Sequence, residues 1–184
     1  MINRATVTRT ALAAAALSLI AACSSTPMKM YSQDGLPAPV MVPAGNKVAM
    51  ETVGVGEITY ECRVKANMPG QYEWVFVGPD AKLMDRSGKV VGKYYGPPAT
   101  WESMDGSKLT ATQVAVAPHM AGSIPLQLVK GNPAMGTGSM QGVTYIQRVA
   151  TMGGVAPASA CDGSTMGKKE IVKYQADYIF YKAS

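Results

Sequence analysis

The 184-residue chain is short of the side chains that usually do chemistry. Its one histidine, His119, sits in Pro118-His119-Met120 with no nucleophile motif around it. A lone imidazole between a proline and a methionine reads as a loop residue, which argues against a catalytic triad. There are three cysteines and no Cys-x-x-C, so neither a thioredoxin-type redox motif nor a zinc knuckle is supported. Gly54-x-Gly56 lacks the third glycine of a dinucleotide fingerprint and precedes a strand-like run, not a helix. It therefore reads as a turn and argues against a dehydrogenase. Lys and Arg form no cluster, which argues against a nucleic-acid partner. Beyond the N-terminal segment no helix-length apolar stripe appears, and Gly, Pro and Thr punctuate the chain about every ten residues, the spacing of an all-β domain.

The N-terminal segment is the most specific feature present. Arg4 and Arg9 precede an apolar run from Ala11 to Ala22. That run is about 12 residues, against about 20 for a bilayer span, so it predicts an export signal and not a transmembrane helix. Leu19-Ile20-Ala21-Ala22-Cys23 resembles the bacterial lipobox, whose cysteine becomes the lipid carrier. The reading is a signal peptide over residues 1–22, lipidation at Cys23, a lipidated Pro-rich tether over 23–45 and a single all-β domain over 46–184. Each buried acyl CH₂ contributes about 0.8 kcal/mol, so several chains would hold the protein permanently on a membrane. Ser24, where an aspartate would retain the protein, points by the same resemblance to the outer membrane, periplasmic or surface-facing. Removing Arg4 and Arg9 lowers the formal charge from +5 to +3, so part of the basicity belongs to the leader.

With Cys23 lipidated, Cys62 and Cys161 remain as an even pair in an oxidising compartment. They read as a disulfide, the other reading being two buried thiols. A bridge closing a loop of about 100 residues stabilises by up to about 4–5 kcal/mol in the chain-entropy picture.

Strict alternation predicts strands at 57–64 and 72–77, the second stopped by Gly78-Pro79-Asp80. Weaker strands follow at 81–84, 89–94 and 108–116. Residues 124–129 read as a strand or one helical turn. Val143, Tyr145 and Val149 share a face in 143–149, and Val172, Tyr174, Ala176, Tyr178 and Phe180 share one in 171–181. The prolines of 96–102 predict a rigid loop carrying Trp101 and Glu102. About eight strands make an antiparallel β-sandwich or a closed β-barrel with one disulfide.

Several segments occur in a specific order: Tyr60-Glu61-Cys62, Trp74, GPDAKL (78–83), GKYYGPPATWE (92–102), DGS (105–107), YIQRVATMGGVAP (145–157), CDG (161–163) and YQADYIFY (174–181). This series resembles an uncharacterised family of secreted proteins, a domain of unknown function found in bacteria and fungi, over roughly residues 37–184. Some fungal members carry a malate-dehydrogenase label. The resemblance implies a secreted domain and a Cys62–Cys161 pairing, and it implies no activity. The chain departs from the family at Lys93-Tyr94-Tyr95, where members often have a histidine before Tyr-x-Gly-Pro, and at Leu126, where an aromatic tends to follow Ile-Pro.

Candidate chemistry is confined to three places. Lys93, Tyr94, Tyr95, Trp101 and Glu102 supply flat apolar faces and hydrogen-bonding ends, the ingredients of a groove for a glycan or peptide. The alternative is that Trp101 caps the core and the tyrosines are strand residues. His119 and Met120, with Met28 and Met30, carry the soft donors that suit copper, though scattered methionines also serve as core filler. Tyr60-Glu61-Cys62 is reminiscent of the first strand of envelope lysozyme inhibitors, a protein-binding alternative. The sequence is thus read as a membrane-anchored envelope lipoprotein with a binding or structural role, no catalytic residues and no cofactor.

Overall fold

Eight β-strands follow one another along residues 31–184, the part of the chain that the computed structural model describes. They are β1 (Asn46–Val64), β2 (Tyr72–Met84), β3 (Val90–Tyr95), β4 (Thr100–Ser103), β5 (Lys108–Ala117), β6 (Leu126–Gly131), β7 (Val143–Gly153) and β8 (Lys169–Ala183). Each pairs antiparallel with the next, and β8 pairs back onto β1, so the sheet closes as an up-and-down barrel. Closure removes both sheet edges, which answers the choice between sandwich and barrel. The β1–β2, β3–β4, β5–β6 and β7–β8 connections lie at one end, here the upper end. The other three connections lie at the lower end.

Side chains in alternate positions fill the interior. Leu83, Leu109, Met140, Ile146 and Phe180 are almost fully buried, and with Tyr94, Trp101 and Tyr178 they belong to one packed cluster. Gly54 lies inside β1, not in a turn as its sequence suggests. A Cβ there would run into the Tyr178 ring at 2.5 Å, so the missing side chain makes room for that ring against the β1 backbone.

Two breaks in the sequence pattern turn out to be strand. β2 runs unbroken through Gly78-Pro79, because the β1–β2 register shifts between Thr59 and Tyr60 and the extra residue absorbs the irregularity. Trp101 and Glu102 sit in β4, not in a loop; the proline turn ends before Thr100, and β4 is laddered to β3 and β5. Residues 124–129 yield a strand, β6, and β7 extends to Gly153. A register shift between Val143 and Tyr145 separates those two residues: Val143 packs inside, while Tyr145 and Val149 pack outside.

The segment before β1 also departs from its sequence pattern. Residues 31–42, part of an extended spacer by composition, lie on the outer wall with a short 3-10 turn at Ala38–Val40. Val40 and Val42 are buried there against Leu126, Leu128, Val149, Ile179 and Tyr181, so residues 31–42 belong to the folded body. The cause is the β8 run Tyr178-Ile-Phe-Tyr181, buried on both faces. Its outward pair needs a cover, and burying it outweighs the proline-rich segment's preference for water. Gln147 fixes this cover. Its amide nitrogen donates to the Val40 carbonyl (2.6 Å) and to Gln33 Oε1 (2.8 Å), and its Oε1 accepts from Tyr31 (3.0 Å) and Tyr181 (2.8 Å). The signal peptide, Cys23, Met28 and Met30 lie outside the described residues.

The lower end is closed by a carboxylate clamp. Asp105 accepts the backbone N–H and hydroxyl of both Ser107 and Ser139, joining the β4–β5 and β6–β7 connections. Those four hydrogen bonds, led by the Ser107 hydroxyl, hold its carboxyl well below the usual carboxylate range.

Candidate functional site

The upper end is roofed on one side and open on the other. The β7–β8 connection, residues 154–168, is bridged to β1 by the Cys62–Cys161 disulfide, with the two Cα atoms 5.5 Å apart. Trp74 Nε1 donates to the Ser159 carbonyl (2.9 Å) and the Tyr60 hydroxyl to the Gly154 carbonyl (2.8 Å). Gly154 has φ +80°, and a Cβ there would press on Tyr174, Ile124 and Ile58, so only glycine lets the connection settle this close. The β5–β6 connection adds to the roof. Thr151 donates its hydroxyl to the Ile124 carbonyl (2.6 Å), so Nδ1 of His119, 2.9 Å from that oxygen, must be the donor of the pair. With Nδ1 as donor, the imidazole ties the β5–β6 connection to β7. Met120 beside it is exposed. Among the described residues no three His, Cys, Asp or Glu side chains converge as a metal site.

The five groove candidates do not line one groove. Alternation in the β3–β4 ladder pairs Tyr94 with Trp101 on the inner face and Lys93 with Glu102 on the outer. Outside, Tyr95 donates to Glu102 Oε2 (2.7 Å), Lys93 Nζ lies 3.4 Å from Glu102 Oε1, and the same ammonium stands 5.0 Å from the Tyr95 ring centre. The Tyr95 hydrogen bond and the lysine hold the Glu102 carboxyl below its ordinary value. Inside, Tyr94 stacks on Trp101 at 4.5 Å between ring centres, and both meet Tyr178 at 5.0 and 5.9 Å. Desolvation pushes the Tyr94 and Tyr178 phenols above their ordinary range.

That inner aromatic group forms part of the wall of a cavity of about 320 Å³ at the open side of the mouth. Phe76 and Ala99 stand at its rim, Gln113 and Gln127 across from them, and Arg148 on β7 completes it. Phe76 is half exposed there and meets Tyr60 edge-on at 6.0 Å. Two residues of this wall carry polar groups without a full set of partners, the Trp101 N–H sealed within the packing and the Arg148 guanidinium in reach of water. Trp101 is 2% exposed, and its Nε1 is the one buried side-chain polar atom among the described residues with no hydrogen-bond partner. Arg148 donates through Nε and Nη2 to the Pro125 carbonyl (3.2 and 3.0 Å), and no carboxylate among the described residues pairs with it.

Sequence reasoning reaches Tyr94 and Trp101 but misses Phe76, Arg148 and the inward role of β7. The available signal is a cation two residues from the buried Ile146, in phase with it on an otherwise apolar face. Larger depressions exist on the outer wall, about 510 Å³ beside Glu57 and Lys173 and about 400 Å³ beside Lys93 and Glu102. Neither is walled by an aromatic cluster, as the mouth is by Phe76, Tyr94 and Trp101, so the mouth is the better candidate.

The fold and this mouth define a closed, eight-stranded, up-and-down β-barrel with a small cavity at one end, an architecture wide enough to hold one small ligand. Residues 43–182 match the family described as "Protein of unknown function (DUF3455)", and the chain belongs to that family. No curated protein and no solved structure matches it.

Proposed function

We propose that this protein is an outer-membrane-anchored envelope lipoprotein, exported by residues 1–22 and carried on Cys23, with a non-catalytic binding role centred on the barrel mouth. The observation that carries the binding role is the mouth cavity in which the Arg148 guanidinium, paired with no carboxylate among the described residues, stands beside the Tyr94 and Trp101 rings. Export is supported by the Cys62–Cys161 bridge, since such bonds persist in oxidising compartments.

Intact-mass measurement on protein extracted from membranes tests both halves. The expected denatured mass is a chain beginning at Cys23 with the added mass of a lipid anchor. An unmodified chain beginning elsewhere overturns the lipoprotein reading. The native spectrum is expected to retain a small adduct that Trp101→Ala loses. A bare native spectrum turns the reading toward a scaffold or a protein partner such as lysozyme.

A further inference from the structure

The mouth cavity restricts the class of ligand. Its volume, about 320 Å³, is at the low end of small-molecule sites, which run to about 1,000 Å³. Its floor and rim are aromatic: Phe76, Tyr94 and Trp101 present ring surface, and Val129 adds an aliphatic patch. Such a wall favours a flat apolar body. The lining includes one formal charge, on Arg148, and no acidic residue. The surrounding phenols do not supply the missing anion. Burial raises Tyr94, Tyr174 and Tyr178, so they stay neutral beside the guanidinium. A guanidinium whose only protein acceptor is one backbone carbonyl retains N–H donors in the fork geometry that suits a carboxylate. One cation matches a monoanion better than a phosphate, which asks for more than one.

We infer that the barrel mouth binds a small organic carboxylate with a flat apolar body, the carboxylate taken by Arg148 and the body lying on the rings of Phe76, Tyr94 and Trp101. This rests on the binding role proposed above and names its ligand class.

The chain has two tryptophans, so the amide spectrum of the ¹⁵N-labelled, lipidated full-length protein in detergent micelles carries two indole signals. Trp74 Nε1 is already bonded to Ser159, and Trp74→Phe assigns the pair by deletion. Phenylacetate is the probe and phenylacetamide its uncharged counterpart of the same shape. The expected result is a saturable shift of the Trp101 signal by phenylacetate, with phenylacetamide weaker by about tenfold or more, the scale of one charge-assisted hydrogen bond. Arg148→Gln is expected to bring the acid down to the amide's affinity while leaving the amide unchanged. The acid–amide comparison on the unaltered protein remains decisive if that variant folds poorly. Equal binding of acid and amide overturns the carboxylate assignment and leaves a binding mouth intact. A shift of Trp74 alone overturns the site. If neither compound moves the Trp101 signal, the carboxylate inference and the binding role in the mouth fall together.

Discussion

Trp101 and Gln147 are both buried and both polar, on opposite faces of the same barrel wall, and they are treated in opposite ways. Gln147 lies under the 31–42 segment, fully shielded, with four hydrogen bonds to four groups. Trp101 lies inside, with its rings packed and its N–H unpaired. The difference separates two uses of a buried polar group. A satisfied one specifies geometry: only a side chain with both donor and acceptor ends could hold Val40, Gln33, Tyr31 and Tyr181 together. An unsatisfied one, sealed from water, is carried at a cost that the packing of its rings offsets.

Truncation should break the comparison most strongly at the indole. Trp101→Ala removes a ring stacked on Tyr94 and touching Tyr178, and the expected loss in urea unfolding is about 3–5 kcal/mol, the usual range for a core aromatic cut back to alanine. The loss should come from packing alone, since no protein hydrogen bond goes with it. Gln147→Leu keeps the volume and removes only polarity. It leaves the Val40 carbonyl and the Tyr181 hydroxyl buried without their partner, and an expected loss of about 2–4 kcal/mol follows. Hydrogen exchange should also quicken across residues 31–42 and not inside the barrel. A cost below about 1 kcal/mol would mean that water replaces the amide and that the cover is not shielded.

The same contrast explains what is legible in the sequence. Period-two alternation exposes inward residues wherever the register is regular, so Ile58, Tyr60, Tyr174, Ala176, Tyr178 and Phe180 can be assigned to one face from the chain alone. It fails where the register slips. The shift between Val143 and Tyr145 moves the face assignment of β7 by one, which hides the inward-facing Arg148 and with it half of the mouth. The prolines of 96–102 mask alternation in a second place, because they read as loop. Counted straight through them, alternation would put Lys93 with Trp101 and Tyr94 with Glu102; only the β3–β4 register sets Lys93 and Glu102 apart from Tyr94 and Trp101. The cover over β8 is illegible for a different reason. Pro37, Pro39 and Pro43 mark an extended path but do not say whether that path touches anything, and its anchor, Gln147, is polar. The disulfide needs only a count of cysteines and a compartment.

Alkali should act on both faces at once. Desolvation raises Tyr31 to about 12, and raises Tyr174, Tyr178 and Tyr181 further. The folded-state values lie above the unfolded value of about 10, so the folded protein holds these phenols neutral where the unfolded chain has ionised them. Stability is therefore full below about pH 10 and is lost as the pH rises from there through the folded values. Tyrosine absorbance near 295 nm should show the buried phenols ionising together with loss of near-ultraviolet dichroism. Their ionisation in a native-looking protein near pH 10 would contradict the burial.

The smallest effect should come from the outer half of the β3–β4 ladder. Lys93, Tyr95 and Glu102 form a closed set of contacts on the surface, in reach of water, and solvent replaces exposed ion pairs at almost no cost. Glu102→Gln, made to test the groove that these residues suggest, is expected to leave the melting midpoint within experimental scatter. It should also leave the phenylacetate response of the Trp101 indole unchanged. Because Glu102 sits one residue from Trp101 yet across the sheet from it, this variant tests the division between the faces at its closest point. A shifted midpoint would show that the ladder transmits between the faces. A changed phenylacetate response would make the outer carboxylate part of the site, and the strict separation of inner and outer roles would have to be abandoned.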